Sequence, residues 1–203
     1  MLERFLDKVD FESYDDFMQN FHIKDLPGFN FAYDVVDEWA RIEPDRKALL
    51  WTNEAGDVKQ FTFADIKRES DKTAAYFQQL GIGRGDMVML IMKRRYQIQK
   101  AAPDSPSVKN YISIGPKVPE GWCDFNAGIE SAPPFVRPEV VNEPGDISLM
   151  YFTSGTSGEP KMVAHDFRYP LGHIITAKYW HNLDENSLHF TLADTGWGKA
   201  VWG

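Results

Sequence analysis

A loop rich in glycine and hydroxyl residues, set between two apolar segments, constrains this chain more than any other feature. Residues 147–152 are mostly apolar, and residues 153–158 then supply four hydroxyl side chains and two glycines. Pro160 and Lys161 close the loop, and apolar positions resume at Met162. This order predicts a strand, a tight loop and a second strand.

The composition of the loop predicts a phosphate-binding site. Glycines adopt φ > 0 at little steric cost, so consecutive N–H groups and hydroxyls can form an anion-binding concavity, to which Lys161 adds a positive charge. A Walker P-loop is excluded: counted from Gly155, it requires a second glycine at Pro160 and a hydroxyl at Met162. The alternative is a glycine- and serine-rich turn that binds no ligand.

The amino-acid composition and net charge are those of a globular chain, and they exclude some classes of partner. The 203 residues are 43% hydrophobic and 14% aromatic, enough for one sizeable core or two small ones. A formal net charge of −8 argues against a nucleic-acid partner. The single cysteine, Cys123, cannot form an internal disulfide, and no Cys/His spacing predicts a metal site. The N-terminus resembles no secretory signal and the longest apolar run has six residues, so we expect a cytoplasmic protein without a membrane span.

Local signals predict several elements before the loop. Helical periodicity covers residues 2–21, with a break near Asp10, and Asn30 is a candidate N-cap for a helix that ends before Pro44. Residues 48–63 predict a hairpin, followed by a helix that starts at a capping box and ends at Gly81. Residues 87–92 predict a buried strand, which calls for further parallel strands and covering helices.

Instead, the chain becomes polar and rich in proline. Eight of the twelve prolines fall between Pro103 and Pro144, and only the segments around residues 111–114 and 122–125 have strand character. A largely irregular run of this length is unusual inside a compact domain.

The loop Thr-Ser-Gly-Thr-Ser-Gly-x-Pro-Lys resembles the phosphate loop of the adenylate-forming acyl-CoA synthetases. Two later segments, residues 169–173 and 194–197, are similar to the medium-chain and acetate-type members of that family. The resemblance implies an α/β fold, namely an incomplete version of the family's large N-terminal domain, with parallel sheet layers and flanking helices. Within that domain it also implies two sets of site residues. The ATP phosphates would contact Thr153, Ser154, Gly155, Thr156, Ser157, Gly158, Glu159, Pro160 and Lys161, and the acyl pocket would include Trp197 and Gly198.

The resemblance also implies a reaction and its ligands. Such enzymes activate a carboxylic acid with ATP and Mg²⁺ to an acyl-adenylate, and then transfer the acyl group to coenzyme A. The family's adenine, magnesium, ribose and catalytic-lysine motifs, and its C-terminal domain, do not occur in these residues. We therefore expect an incomplete acid–CoA ligase of fatty acid metabolism that does not complete catalysis alone, with no complete catalytic set in this chain.

Comparison with the family further predicts an internal loss near Gln97 and Ile98, since segments that its members keep apart are adjacent here. The rival interpretation is a divergent, shortened loop. The predicted organisation is a first α/β portion (1–97), a proline-rich connection (98–146) and a phosphate-loop portion (147–203). The alternative function is a non-catalytic remnant or phosphate-binding interaction module, in which unpaired sheet edges favour self-association.

Overall fold

The computed structural model describes residues 1–91, 99–139, 142–143, 145–153 and 158–190, and shows an α/β chain. Its described α-helices are α1 (Tyr14–Asn20), α2 (Asp37–Ile42), α3 (Phe63–Gln79), α4 (Phe125–Ser131) and α5 (Tyr169–Ile174). Its described strands are β1 (Lys47–Thr52), β2 (Val58–Thr62), β3 (Ile112–Ser113), β4 (Cys123–Asp124), β5 (Ile147–Thr153) and β6 (Lys161–Asp166). Among the described helices, none combines the length and apolar character needed to cross a membrane.

The chain divides into two compact units. One consists of Met1–Asp34 together with the described part of Val140–Gly203, and the other is Val35–Glu139. Strands β1 and β2, and strands β5 and β6, form antiparallel pairs, whereas β3 and β4 pair in parallel. The candidate phosphate loop therefore belongs to the unit that also contains the N-terminus.

The capping signals of the Val35–Glu139 unit are confirmed. The Thr62 hydroxyl accepts a hydrogen bond from the Asp65 amide at 3.1 Å, and the Asp65 carboxylate accepts one from the Thr62 amide at 2.9 Å. This capping box starts α3 because it satisfies amides that have no partner within the helix. Gly81 ends the helix at φ +76°, a conformation that favours glycine.

The interior of this unit lies along α3. Ala75 and Tyr76 are buried, and the Tyr76 ring meets the Phe125 ring edge-on with centroids 6.3 Å apart. Helix α4, which carries Phe125, starts at Asp124, whose carboxylate accepts hydrogen bonds from the amides of Asn126 and Ala127 at 2.9 and 3.3 Å. The described part of the proline-rich stretch thus contains helix α4 as well as the short strands β3 and β4 at its predicted strand segments.

The predicted buried strand at residues 87–92 is wrong for residues 87–91. They lie outside any strand, and their exposed fractions run from 40% at Ile91 to 76% at Leu90. Met92 lies outside the described residues. An apolar strand is buried only where neighbours pair with its edges and cover both faces, and none of the described strands pairs with this segment.

In the other unit, the N-terminal residues pack against the helical segment that follows β6. The rings of Phe11, Phe17 and Phe21 each contact the Tyr179 ring, with centroids 5.1–5.7 Å apart. The Tyr179 hydroxyl donates to the Val9 carbonyl at 2.7 Å. Of the two helices predicted in residues 2–21, the second is α1, whereas the first is only a 3₁₀ turn, Leu2–Arg4.

Pro170 lies in the first turn of α5, a position that favours proline because a missing N–H costs nothing there. The helix continues as the π-helical segment Ile175–Trp180. The sequence of residues 188–192 predicts a strand, and this prediction is wrong for residues 188–190, which are exposed and lie in no strand. Residues 191–192 lie outside the described residues.

Candidate functional site

The strand pair β5–β6 frames the candidate phosphate loop. Thr153 and Lys161 are paired at the base of the loop, and Tyr151 and Val163 form the next pair on the same face. The Thr153 hydroxyl donates to the Lys161 carbonyl in a long contact of 3.5 Å. The predicted strand–loop–strand arrangement is therefore present on both sides of the loop.

The structure locates part of the predicted site. Thr153, Gly158, Glu159, Pro160 and Lys161 are all exposed, and Gly158 has φ +104°. A side chain at that φ would be strained, which explains the glycine at this position. The predicted residues Ser154, Gly155, Thr156 and Ser157 lie outside the described residues, as do Trp197 and Gly198.

Unlike Lys8 and Lys67, Lys161 forms no ion pair within the described part of the chain. Lys8 donates to the Asp16 carboxylate at 2.7 Å, and Lys67 is paired with Asp71 and Asp37. Within the described ranges, no carboxylate or hydrogen-bond acceptor contacts Nζ of Lys161. An exposed ammonium that is not neutralised by a neighbour can contact an anion at the loop base without first breaking an ion pair.

A row of aromatic rings adjoins the strand pair, and the sequence analysis did not identify it. The Tyr151 and His165 centroids are 5.8 Å apart, those of His165 and Tyr169 are 4.0 Å apart, and those of Tyr169 and His173 are 4.7 Å apart. Burial, followed by the charge of His165, lowers the pKa of His173. The four-residue spacing of positions 165, 169 and 173 was the available signal.

Among the described residues, no group of three or more His, Cys, Asp or Glu side chains is arranged to hold a metal ion. What the described geometry offers is a backbone turn, a hydroxyl and a lysine, which are groups that bind an anion.

Comparison with known proteins matches this chain to related sequences and to solved structures of similar fold. The AMP-binding enzyme family matches residues 36–102. Acyl-coenzyme A synthetase ACSM5, mitochondrial, of Mus musculus is 29% identical over 86% of this chain and 39% of its own length. Acyl-coenzyme A synthetase ACSM4, mitochondrial, of the same species is 30% identical over 89% of this chain and 40% of its own.

Solved structures agree on the fold. The acyl-CoA synthetase of Brucella canis superposes with a TM-score of 0.68 at 18% identity, covering 86% of this chain and 40% of that one. Acetoacetyl-CoA synthetase from Streptomyces lividans gives a TM-score of 0.70 at 18% identity, covering 83% of this chain and 35% of that one. This chain spans about 40% of the length of the curated relatives it matches. Its α/β fold is therefore part of the large N-terminal domain, and the chain belongs to the adenylate-forming acyl-CoA synthetase superfamily.

Proposed function

We propose that residues 153–161 form the phosphate-binding loop of an AMP-forming acid–CoA ligase that acts on a short- or medium-chain carboxylic acid. The observation that carries the proposal is the pairing of Thr153 with an exposed, unneutralised Lys161 across the base of the loop. Gly158, at φ +104°, provides the sharp turn that this kind of backbone cradle needs.

In this proposal, the loop acts on the leaving group of the first step. The substrate carboxylate attacks the α-phosphorus of ATP, the bond to the β-phosphate oxygen breaks, and pyrophosphate leaves. Lys161 offsets the negative charge on that pyrophosphate, while Ser154, Thr156 and Ser157 supply hydroxyl donors. Positioning and charge stabilisation dominate such phosphoryl chemistry. Mg²⁺ with the ATP, and coenzyme A as acyl acceptor, complete the proposed ligands.

Trp197 and Gly198 are proposed as acyl-pocket residues. We also retain the organisation into 1–97, 98–146 and 147–203 as a proposal. The complete reaction is proposed only for a protein that also carries the parts of the relatives that this chain does not span. A cytoplasmic location is likewise a proposal, whereas the matched curated relatives are named as mitochondrial proteins.

One numerical observation supports an internal loss within the matched region, which we propose lies near residue 97. The match to the mouse ACSM5 protein extends over 229 positions but involves 86% of this chain, which is about 175 of its 203 residues. About 50 positions of that relative therefore have no counterpart here. Sequencing the source DNA across the codons for residues 97 and 98 tests this proposal. We expect it to show that the missing segment was removed there.

A binding experiment tests the loop. We expect the 203-residue chain to bind pyrophosphate measurably by isothermal titration calorimetry, and Lys161→Ala to weaken the binding about five- to tenfold, since removing one exposed charge near a phosphate removes about 1 kcal/mol or slightly more. The loss should shrink at high salt.

Lys47→Ala is the matched control. Lys47 is also exposed and also pairs with a threonine, Thr62, across an antiparallel hairpin, but it adjoins no glycine- and hydroxyl-rich loop. Equal weakening by the two substitutions would indicate a general charge effect, and the absence of pyrophosphate binding by the unmodified chain would contradict the proposal.

A second candidate function is an interaction module that self-associates. The observation that favours it is the exposed apolar segment of residues 87–91, because unpaired strand-forming backbone is a template for pairing with another chain. Sedimentation of the chain at rising concentration should then show a dimer that Leu90→Lys abolishes. Val58→Lys, at another exposed apolar position (64% exposed), is the control and should leave the dimer intact. A chain that stays monomeric at all concentrations refutes this candidate.

A further inference from the structure

Tyr151, His165, Tyr169 and His173, here called the ring row, connect three consecutive elements of the chain. Tyr151 belongs to β5, His165 to β6, and Tyr169 and His173 to α5. Successive ring centroids are 4.0–5.8 Å apart, so each ring contacts the next one in the row. All four side chains are half-buried, so the contacts are partly shielded from water.

The ring row begins next to the base of the candidate phosphate loop. Tyr151 lies two residues before Thr153 and is paired with Val163, which lies two residues after Lys161. Because side chains alternate along a strand, Tyr151 and Val163 are the nearest neighbours of Thr153 and Lys161 on the same face. Any tilt of the strand pair against α5 would therefore change where Lys161 points.

The far end of the row is attached to the helix. His173 Nδ1 lies 3.3 Å from Oγ1 of Thr176, and that hydroxyl donates to the His173 carbonyl at 3.0 Å. Tyr169 lies in the middle, with a histidine ring on each side. Burial and the nearby His165 lower the pKa of His173, which favours the uncharged form of this ring.

We propose that Tyr169, through its contacts with His165 and His173, is a positioning residue that holds the β5–β6 pair against α5 and so sets the anion affinity of the loop. This inference rests on the proposed phosphate-binding function. It goes further because it assigns a role in anion affinity to a side chain outside the loop.

Hydrogen exchange and pyrophosphate binding together test the inference. Tyr169→Ala removes the central ring, so we expect faster exchange of the amides in the β5–β6 ladder and pyrophosphate affinity about five- to tenfold weaker. Tyr169→Phe keeps the ring, and we expect it to restore both quantities. Tyr14→Ala is the control: Tyr14 is 74% exposed and outside the row, and its loss should change neither.

The amides of α1, which belongs to the same compact unit as the ring row, report whether that unit as a whole remains folded. If Tyr169→Ala exposes the entire unit, His173→Gln removes the terminal ring only and should give a smaller change in the same direction. Unchanged β5–β6 exchange in both variants overturns the inference. So does faster exchange with unchanged pyrophosphate affinity, where Lys161→Ala does weaken binding.

Failure of the proposed function gives a different pattern. If the unmodified chain binds no pyrophosphate, the phosphate-loop proposal fails, and with it the role of Tyr169 in anion affinity. The exchange data then still decide whether the ring row holds the strand pair against α5.

Discussion

Replacing Gly128 by alanine should destabilise the Val35–Glu139 unit, although alanine is the better helix former. A Cβ added at Gly128 would overlap Cζ and Cε2 of the Tyr76 ring, where ordinary contact needs at least 3.4 Å. The ring has little room to retreat, because Tyr76 is only 6% exposed and meets the Phe125 ring. One of the two must move by about an ångström.

The magnitude follows from two opposing effects. Overpacking of a core position costs about 1–3 kcal/mol, while the change from glycine to alanine inside a helix returns at most about 1 kcal/mol. We therefore expect the free energy of unfolding to fall by about 1–2 kcal/mol. For a unit of this size the melting temperature should fall by roughly 5–15 °C.

Gly172→Ala is the matched control because Gly172 is also helical, but no atom lies within 4 Å of the position that its Cβ would take. There the helix propensity acts alone, so stability should rise by about 0.5–1 kcal/mol. Urea unfolding followed by circular dichroism and tryptophan fluorescence measures both variants. If Gly128→Ala also stabilises the chain, the argument from Tyr76 is refuted.

A double-mutant cycle locates the effect. In a Tyr76→Leu background the ring is gone, and Gly128→Ala should become neutral or favourable. A coupling energy near zero between the two substitutions would show that the cost arises elsewhere.

Two further predictions concern the N-cap of α3 and the hydrogen-bonded carboxylate of Asp16. Thr62→Ala should cost about 1 kcal/mol of unfolding free energy through the loss of the α3 cap, whereas Thr62→Ser should retain most of it; equal losses in urea unfolding would contradict the capping role. Hydrogen bonds from Lys8 and from the Glu12 amide lower the pKa of Asp16 from its ordinary 3.8 to about 2. The stabilisation is then complete above about pH 4 and is lost as the pH falls through 2, so Asp16→Asn should flatten the acid-unfolding curve in that interval; a curve of unchanged slope would refute the assignment.

Much of the local structure was predictable because it depends on neighbours in the sequence. The capping box of Thr62 and Asp65, the Asn30 cap, the end of α3 at Gly81 and the strands on each side of the loop are confirmed. Each depends on hydrogen bonds or backbone angles within a few residues, so the sequence window contains all the partners.

The burial of residues 87–91 could not be predicted from their own sequence. Their apolar character predicts a strand, but burial requires other segments on both edges and both faces, and the described strands do not supply them. The surroundings of Lys161 in the candidate site could not be predicted from the sequence either. The sequence predicted the residues of the loop, but it contained no measure of how Lys161 is surrounded.

By itself, the sequence determined the family, the helix ends and the residues proposed to bind phosphate, because these follow from short motifs whose chemistry is local. The tertiary structure alone decided that Tyr169 lies between two histidines, that Tyr179 packs against three N-terminal phenylalanines, and that Gly128 leaves room for Tyr76. These contacts join residues whose proximity depends on how the chain turns and packs, and side-chain pairing at that range leaves only a weak periodic signal, such as the four-residue spacing at positions 165, 169 and 173.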